Sequence, residues 1–258
     1  MTTLHIVPVG LSIRDWLGPS DFDAFGAANP NPQAQEYALA RISDERNPLQ
    51  AEREKGPSAE LDSLDCKGLT AKDPILFLAS DTEQGVRAAQ ILTRATDRLS
   101  SPVTRVDDNW TMSMVKPSAT SILRCSNLNP KDASVFKDGV CSMARVLCGV
   151  LTALDEKIGH VHVHLSGGFK ATIVFLLPIV EIVGSLAVPE VEASVLWESS
   201  ATPIPVPLRR IDQATLEEEL NQGQSNKSQF GAGYLHDDSG DLTLLGRCLR
   251  DNLFPVNR

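Results

Sequence analysis

The sequence predicts an α/β fold, a Rossmann-like parallel sheet with helices on both faces. Two observations support this prediction. Short apolar runs rich in β-branched residues recur along the chain, and helical stretches separate them. The runs also lack the alternation of a half-buried strand, as expected for strands that are covered on both faces and joined by crossover helices. With 42% hydrophobic and 22% charged residues, the composition is that of an ordinary globular protein.

Five strands and three long helices make up the predicted domain. The strands are expected at 4–10, 74–80, 103–108, 160–166 and 191–199. The helices are expected at 81–99, 133–157 and 168–185, the last bent or interrupted near Pro178 because proline lacks the amide donor of a helix interior. A proline-rich extended segment follows at 202–211.

These elements divide the chain into one large domain and a small extension. Residues 1–210 form the Rossmann-like domain, and 20–72 are a polar insertion in which "AQEYALARISDER" (34–46) is a candidate helix and the rest is predicted to lie on the surface. Residues 211–258 form a small acidic α+β element at the C-terminus. Its order of strand, Asp/Gly turn, strand and helix resembles part of a winged-helix unit. From 211 onward eight acidic residues face four basic ones, so DNA binding is not expected.

The charge and the cysteines bound the classes of function. A net charge of −9 argues against broad nucleic-acid binding but permits a local pocket for a small anion. The five cysteines contain no C-x-x-C pair, and Cys141 and Cys148 lie in an apolar helical stretch as small buried side chains. We therefore expect a reducing cytoplasm. No leader is evident, and the apolar run 171–184 is too short to cross a bilayer, so no membrane association is expected.

Two loops are candidate binding elements, because ligands of open parallel sheets lie beyond the carboxyl ends of the strands. They are "VGLSIRDW" (9–16) after the first strand and "SGGFK" (166–170) after the fourth. Glycines let backbone N–H groups approach an anion, Lys170 adds positive charge, and Ser12 adds a hydroxyl. The alternative is a pair of tight structural turns with a solvated lysine. Neither loop matches G-x-x-x-x-G-K-[ST] or G-x-G-x-x-G, which disfavours nicotinamide cofactors.

Other polar residues have simpler interpretations. His160, His162 and His164 alternate along the fourth strand and share one face. No cluster of Cys, Asp or Glu at ligand spacing lies nearby, so packing is favoured over a metal site. Asp107 and Asp108 are expected to be solvated carboxylates at the end of the third strand.

Three segments carry a resemblance to a known family. "LHIVPVGLSI", "VHLSGGFKA" and "VLWESSATPIPVPL" occur in this order, after or around the first, fourth and fifth strands. Together they resemble the CRISPR-associated Rossmann fold (CARF) domain, and most closely the small stand-alone proteins that include ring nucleases. The resemblance covers residues 1–210.

The resemblance implies a homodimer that binds cyclic oligoadenylate, the second messenger of type III CRISPR systems, across its two-fold axis. Cyclic tetra-adenylate is the expected ring. Ser12 and Lys170 would act at the scissile ribose-phosphate, with no metal and no other cofactor. The remaining expected ligand-binding residues are Gly10, Leu11, Ile13, Arg14, Ser166, Gly167, Gly168 and Phe169. Of these, Phe169 is expected to pack into the domain.

The implied reaction needs no external water. The ribose 2′-hydroxyl attacks its own 3′-phosphate and leaves linear products that end in a 2′,3′-cyclic phosphate, so the signal is switched off. The protein must hold the 2′-oxygen in line and stabilise charge on the transition state. Some ring nucleases carry a basic residue directly after the serine. Here Ile13 stands there and Arg14 follows, which would share a face with Ser12 on a strand-like segment.

Two alternatives stay open at this point. The first is a non-catalytic cyclic-oligoadenylate sensor whose tail, 211–258, regulates a partner protein. The second is a nucleotide-binding α/β domain outside CRISPR immunity, because a fold does not fix a function. A fused HEPN ribonuclease is not expected, since no R-x(4–6)-H precedes any of the five histidines.

Overall fold

The protein contains a seven-stranded sheet whose strand order is β3-β4-β2-β1-β5-β6-β7. The computed structural model describes residues 2–26, 30–46, 56–96, 104–106, 119–129, 131–152, 158–168, 170–186, 190–197, 202–221, 235–237 and 239–253. The strands are β1 (Thr2–Pro8), β2 (Ile75–Ala79), β3 (Thr104–Val106), β4 (Thr120–Cys125), β5 (Ile158–His164), β6 (Glu190–Val195) and β7 (Ile204–Val206). The pairings from β3 to β6 are parallel, and β7 pairs antiparallel with β6.

Helices cover both faces of this sheet, which confirms the predicted fold class. In the described ranges they are α1 (Ser12–Leu17), α2 (Pro19–Asp23), α3 (Pro32–Glu45), α4 (Ala59–Cys66), α5 (Glu83–Ala95), α6 (Ala133–Thr152), α7 (Lys170–Leu186), α8 (Gln213–Asn221) and α9 (Leu244–Leu253). Helices α6 to α9 enclose one apolar core, and α1 to α5 enclose the other.

The sheet lies between these two cores because its strands are apolar on both faces. On β1, Leu4 and Ile6 belong to the first core, while Val7 belongs to the second. Helix α5 shows how a covering helix forms. The side chain of Thr82 caps it by accepting a hydrogen bond from the Gly85 N–H, and its apolar residues recur at three and four positions.

Several sequence-based boundaries differ from the structure. The strand β4 was not predicted, although "TSILRC" is apolar and pairs with β2. Helix α7 continues without interruption through Pro178, so of the two predicted outcomes, a bend or an interruption, the interruption is wrong. The proline-rich segment contributes the antiparallel edge strand β7. Asp107 and Asp108 lie outside the described residues.

The segment 20–72 is more than the surface insertion predicted from its polar composition. It contributes α3, α4 and most of α2, and Phe22, Ile42, Leu61 and Leu64 are fully buried in the second core. The prediction failed because the segment presents isolated apolar residues on short helices, and these anchor it without raising its overall hydrophobicity. Helix α4 packs against β1 and β5.

The C-terminal segment packs on the first core. Leu216 and Leu220 of α8 and Leu249 of α9 are fully buried there, and α9 lies against α6. A disulfide joins Cys141 of α6 to Cys248 of α9, with their Cα atoms 5.5 Å apart. Cys141 is therefore not the unpaired packing residue predicted. Burial raises the pKa of the Cys148 thiol to about 12, as expected for a buried hydrophobic thiol.

The topology defines where a ligand site belongs. From β1 the chain first builds the sheet toward β2, β4 and β3, and then returns to the other side of β1 with β5. The order therefore reverses between β1 and β5, and the crevice beyond their carboxyl ends is the expected binding position. None of the helices in the described residues is long and apolar enough to cross a membrane.

Candidate functional site

Three segments meet at the carboxyl ends of β1 and β5. They are the loop after β1, the loop after β5 and the first turn of α4. The two loops touch, because a Cβ atom built on Gly10 would lie 3.0 Å from the Gly168 nitrogen. The sheet thus brings together the two loops that the sequence singled out.

The carboxylate of Glu60 lies where these segments meet. Its Oε1 accepts hydrogen bonds from the N–H groups of Gly10 at 2.8 Å and Gly168 at 3.4 Å. Its Oε2 accepts from the hydroxyls of Ser12 at 2.6 Å and Ser58 at 2.9 Å. We refer to Gly10, Ser12, Ser58, Glu60 and Gly168 as the cradle. Glu60 is only 1% exposed, so the four donors take the place of water around its charge.

Local sequence explains how the cradle forms. Ser58 precedes α4 and accepts a hydrogen bond from the Leu61 N–H, so the helix begins there and Glu60 falls in its first turn. Gly167 has no side chain, and a Cβ atom there would lie 2.4 Å from Glu60 Cγ. Gly168 has a φ of +93°, a conformation that favours glycine. The glycine pair thus fits around a carboxylate of the same chain.

The expectation that glycine-rich backbone binds an anion now has a structural counterpart, but the anion is internal. The backbone donors expected to hold a ligand phosphate bind the Glu60 carboxylate instead. The sequence analysis missed Glu60 because it is an acidic residue at an ordinary helix start. Such a position does not predict contact with loops that are distant in the chain.

The loop after β5 places its other residues as follows. Lys170 is the first residue of α7, directly after the loop that contains Gly168, and it is exposed. The hydroxyl of Ser166 accepts a hydrogen bond from the Leu196 N–H at 2.6 Å, which ties the end of β5 to the end of β6. Phe169 lies outside the described residues.

The first loop departs from expectation in two respects. Residues 12–17, most of them in the predicted loop 9–16, form helix α1, so the strand-like geometry needed for a shared face is absent. Ser12 and Arg14 therefore lie on opposite sides of a helix instead of sharing a face. Ile13 is fully buried in the second core, and Leu11 packs against the same core, so the Ile13 side chain is not available as a ligand contact.

A second cluster of buried polar side chains lies within the same two strands, before their carboxyl ends. We refer to His5 on β1 and His162 and His164 on β5 as the histidine cluster. His5 Nδ1 lies 2.9 Å from His164 Nε2, and His164 Nδ1 lies 3.1 Å from the Ser63 hydroxyl. His162 Nε2 lies 2.8 Å from the Ser194 hydroxyl. These contacts agree with the packing interpretation for His162 and His164, whereas His160, the third of the alternating histidines, is exposed.

The donors and acceptors in the line from His5 through His164 to Ser63 can be assigned. The hydroxyl of Ser63 donates to the Glu60 carbonyl at 3.0 Å, so we assign the Nδ1 proton to His164 and let it donate to Ser63. His5 then donates to His164. Burial lowers the pKa of His162 to about 3 and that of His164 well below its usual value, so both rings are neutral.

A cavity of about 390 Å³ lies at the opposite, amino-terminal edge of the sheet. Thr3, Lys67, Asp73, His160 and Glu192 line part of it. Lys67 Nζ lies 3.9 Å from a carboxylate oxygen of Glu192, so these two charges offset each other. Asp73 accepts hydrogen bonds there from the Thr3 N–H, the Thr70 N–H and the Thr70 hydroxyl.

Comparison with known proteins identifies the family of the chain. The family described as CRISPR-associated protein (Cas_APE2256) matches residues 55–208, more than half of the chain. The chain belongs to this family. The matched region includes Glu60, the glycine pair and Lys170, whereas Ser12 precedes it. No curated protein matches the chain.

Proposed function

We propose that this CRISPR-associated protein is a ring nuclease. It binds cyclic oligoadenylate, with cyclic tetra-adenylate as the expected ring, and opens it without a metal ion to linear products that end in a 2′,3′-cyclic phosphate. The activity switches off type III CRISPR signalling. The observation that carries the proposal is that the two loops meet beyond the carboxyl ends of β1 and β5, where the strand order reverses. The Ser12 hydroxyl and the start of α7 lie at this same edge of the sheet.

The chemistry fits what this edge provides. Transesterification by the ribose 2′-hydroxyl needs an oriented nucleophile and positive charge near the phosphate. Ser12 is a hydroxyl held at fixed geometry by its hydrogen bond to Glu60. Lys170 supplies a mobile cation at the N-terminal end of α7, where the helix dipole is also positive.

A homodimer supplies the second half of the site in this proposal. Exposed apolar side chains at this edge support it. Val174, in the second turn of α7, and Trp197, just beyond β6, are each 65% exposed. Apolar side chains of this size left in contact with water mark a surface for a partner or for flat adenine bases.

The test is the fate of the ligand. The purified protein is incubated with cyclic tri-, tetra- and hexa-adenylate in EDTA, and the products are identified by mass spectrometry. We expect linear products with a 2′,3′-cyclic phosphate from the tetra-adenylate. Lys170→Ala is expected to slow cleavage by about 10²–10³-fold, because it removes a charge that stabilises the transition state. Since Lys170 is exposed, the free energy of unfolding of the variant should lie within about 0.5 kcal/mol of the wild-type value.

Lys137→Ala is the matched control, because Lys137 is also exposed but lies on α6. It should cleave at the wild-type rate. Equal losses in the two lysine variants would show that only net charge matters and would contradict the proposed role of Lys170.

The second candidate is a non-catalytic sensor of the same ligand. The observation that favours it is that α7, which begins at Lys170, packs against α8 of the C-terminal segment. A ligand that pulls on the start of α7 could therefore alter that segment and a partner bound to it. Recovery of intact cyclic oligoadenylate bound to the protein would support the sensor over the nuclease.

A further inference from the structure

We infer that Glu60 positions Ser12 and receives its proton during ring opening. The inference rests on the function proposed above and deepens it. Its starting observation is the contact between Glu60 Oε2 and Ser12 Oγ, 2.6 Å, at the edge that carries Lys170. Nothing in the sequence links Glu60 to this edge, since it lies in the segment predicted to be a surface insertion.

The contact fixes the direction of the Ser12 hydroxyl. A serine hydroxyl has one proton and two lone pairs, and a carboxylate can only accept. The Ser12 proton therefore points to Glu60, and its lone pairs face the other way. A ribose 2′-hydroxyl that reaches Ser12 must donate its own proton to Ser12 Oγ. This orients the 2′-oxygen and increases its electron density for attack on phosphorus.

The step balances with groups present in this chain and its substrate. The bond from the 2′-oxygen to phosphorus forms, and the bond from phosphorus to the 5′-oxygen breaks. The 2′-hydroxyl proton passes to Ser12 Oγ as the Ser12 proton passes to Glu60 Oε2. The leaving 5′-oxygen takes a proton from the Lys170 ammonium. Exchange with solvent then returns a proton to Lys170 and removes one from Glu60.

The rest of the cradle keeps this carboxylate in position. The Gly10 and Gly168 N–H groups bind Oε1, and Ser58 binds Oε2 beside Ser12. A competing interpretation is that Glu60 is an internal plug that a ligand phosphate must displace from the same donors. The two interpretations predict opposite effects of removing its charge, so one variant distinguishes them.

That variant is Glu60→Gln, which keeps the shape but reverses the two hydrogen bonds at Oε2, those from Ser12 and Ser58. The amide oxygen must take the place of Oε1, where two N–H groups donate, so the amide NH₂ takes the place of Oε2. It then donates to Ser12 and turns the Ser12 proton outward. We expect the single-turnover rate of cyclic tetra-adenylate cleavage to fall by about 10²–10⁴-fold. Affinity for the ring should stay equal or increase, because a negative charge is lost.

A double-mutant cycle separates this role from a structural one. If Glu60 acts through Ser12, adding Glu60→Gln to Ser12→Ala should slow cleavage no further, because residues that act as a unit are not additive. Glu181→Gln is the matched control. Glu181 is a buried carboxylate bound to Arg209, away from the cradle, and its loss should affect thermal stability but not the cleavage rate.

The outcomes are distinct. Wild-type or faster cleavage by Glu60→Gln, with tighter binding, would overturn the inference in favour of the plug. Multiplied losses in the double variant would overturn it in favour of a structural role. In both cases the wild type still cleaves and the proposed function stands. A wild-type protein that cleaves none of the rings would overturn the proposed function and this inference together.

Discussion

Strands β1 and β5 carry two buried polar groups of opposite character. In the cradle, four donors from three separate segments converge on one carboxylate. In the histidine cluster, rings on the strands form a line of hydrogen bonds from His5 through His164 to Ser63, and burial lowers the pKa of His162 and His164. The cradle surrounds a carboxylate, whereas burial disfavours a charge on His162 and His164.

The difference follows from position on the sheet. Within a strand the backbone N–H groups are used by the neighbouring strands, so only side chains remain to satisfy a buried polar atom. Past the strand end the backbone is free to turn its N–H groups toward one point. The same two strands therefore support packing at His5 and His162, and anion binding at Gly10 and Gly168.

The largest expected effect concerns pH and the histidine cluster. Unfolded histidine has a pKa near 6.5, whereas burial holds the pKa of His162 at about 3 and that of His164 well below its usual value. As the pH falls below 6.5, these two histidines become protonated in the unfolded chain but stay neutral in the folded one, so the free energy of unfolding decreases. Between pH 6.5 and 5 we expect the two rings to cost about 3 kcal/mol, measured by urea unfolding.

The variant His162→Gln tests the cause. Lys67 and His5 act on His162 in the same direction as burial, and Glu192 lies 3.6 Å from it. The variant should lose about half of this pH dependence. His160→Gln, on the same strand but exposed, should keep all of it. An unchanged pH dependence in His162→Gln would show that the ring is protonated in the folded protein.

The next effect in size concerns Gly167 and the cradle. In Gly167→Ala the new methyl group would lie 2.4 Å from Glu60 Cγ, so Glu60 or the loop must move. We expect a loss of about 1–3 kcal/mol of stability, as for other overpacked sites, and loss of ring cleavage. The measurements are urea unfolding and the single-turnover rate.

Gly184→Ala is its control, because it makes the same exchange inside α7. There the nearest atom is Val191 Cβ at 3.3 Å, and alanine favours the helix by about 1 kcal/mol. Stability should change little and cleavage should persist. Full cleavage by Gly167→Ala would mean that the cradle geometry is not needed for the reaction.

The fold was predictable because its evidence is periodic and local. Apolar runs such as 74–80 show strands buried on both faces without any knowledge of their neighbours. The exceptions have physical causes. Pro178 lies inside a helix whose surroundings are apolar and closely packed, and this tertiary packing outweighs the lost backbone hydrogen bond. The segment around α4 looked like surface because few of its residues are apolar, yet those few are buried.

The site was predictable in part. The sequence pointed to Ser12, the glycine pair and Lys170, because loops after buried strands meet at a switch point. It did not point to Glu60. Its hydrogen bond to Ser12 spans 48 positions, and the one from Gly168 spans 108. Only the packing of α4 over β1 and β5 brings that carboxylate to the loops.

The smallest expected effect tests whether the cradle and the histidine cluster are independent. Ser63 is the link between them, since it accepts from His164 and donates to the Glu60 carbonyl. Ser63→Ala should cost about 1 kcal/mol, the usual contribution of a buried hydrogen bond. We expect cleavage to change by less than about threefold, because the hydrophobic burial of Leu61 and Leu64 holds α4 in place.

The decisive comparison is between the loss of stability and the loss of cleavage rate in Ser63→Ala. A Ser63→Ala variant with near-normal stability and strongly reduced cleavage would show that the line of histidines sets the position of Glu60, and the two groups would then form one site. Stability and cleavage that both change little would mean that burial alone fixes α4. In that case the histidine cluster acts on the cradle only through the stability of the whole fold, and protonating it at low pH should unfold the protein without first slowing the proposed cleavage by the folded protein.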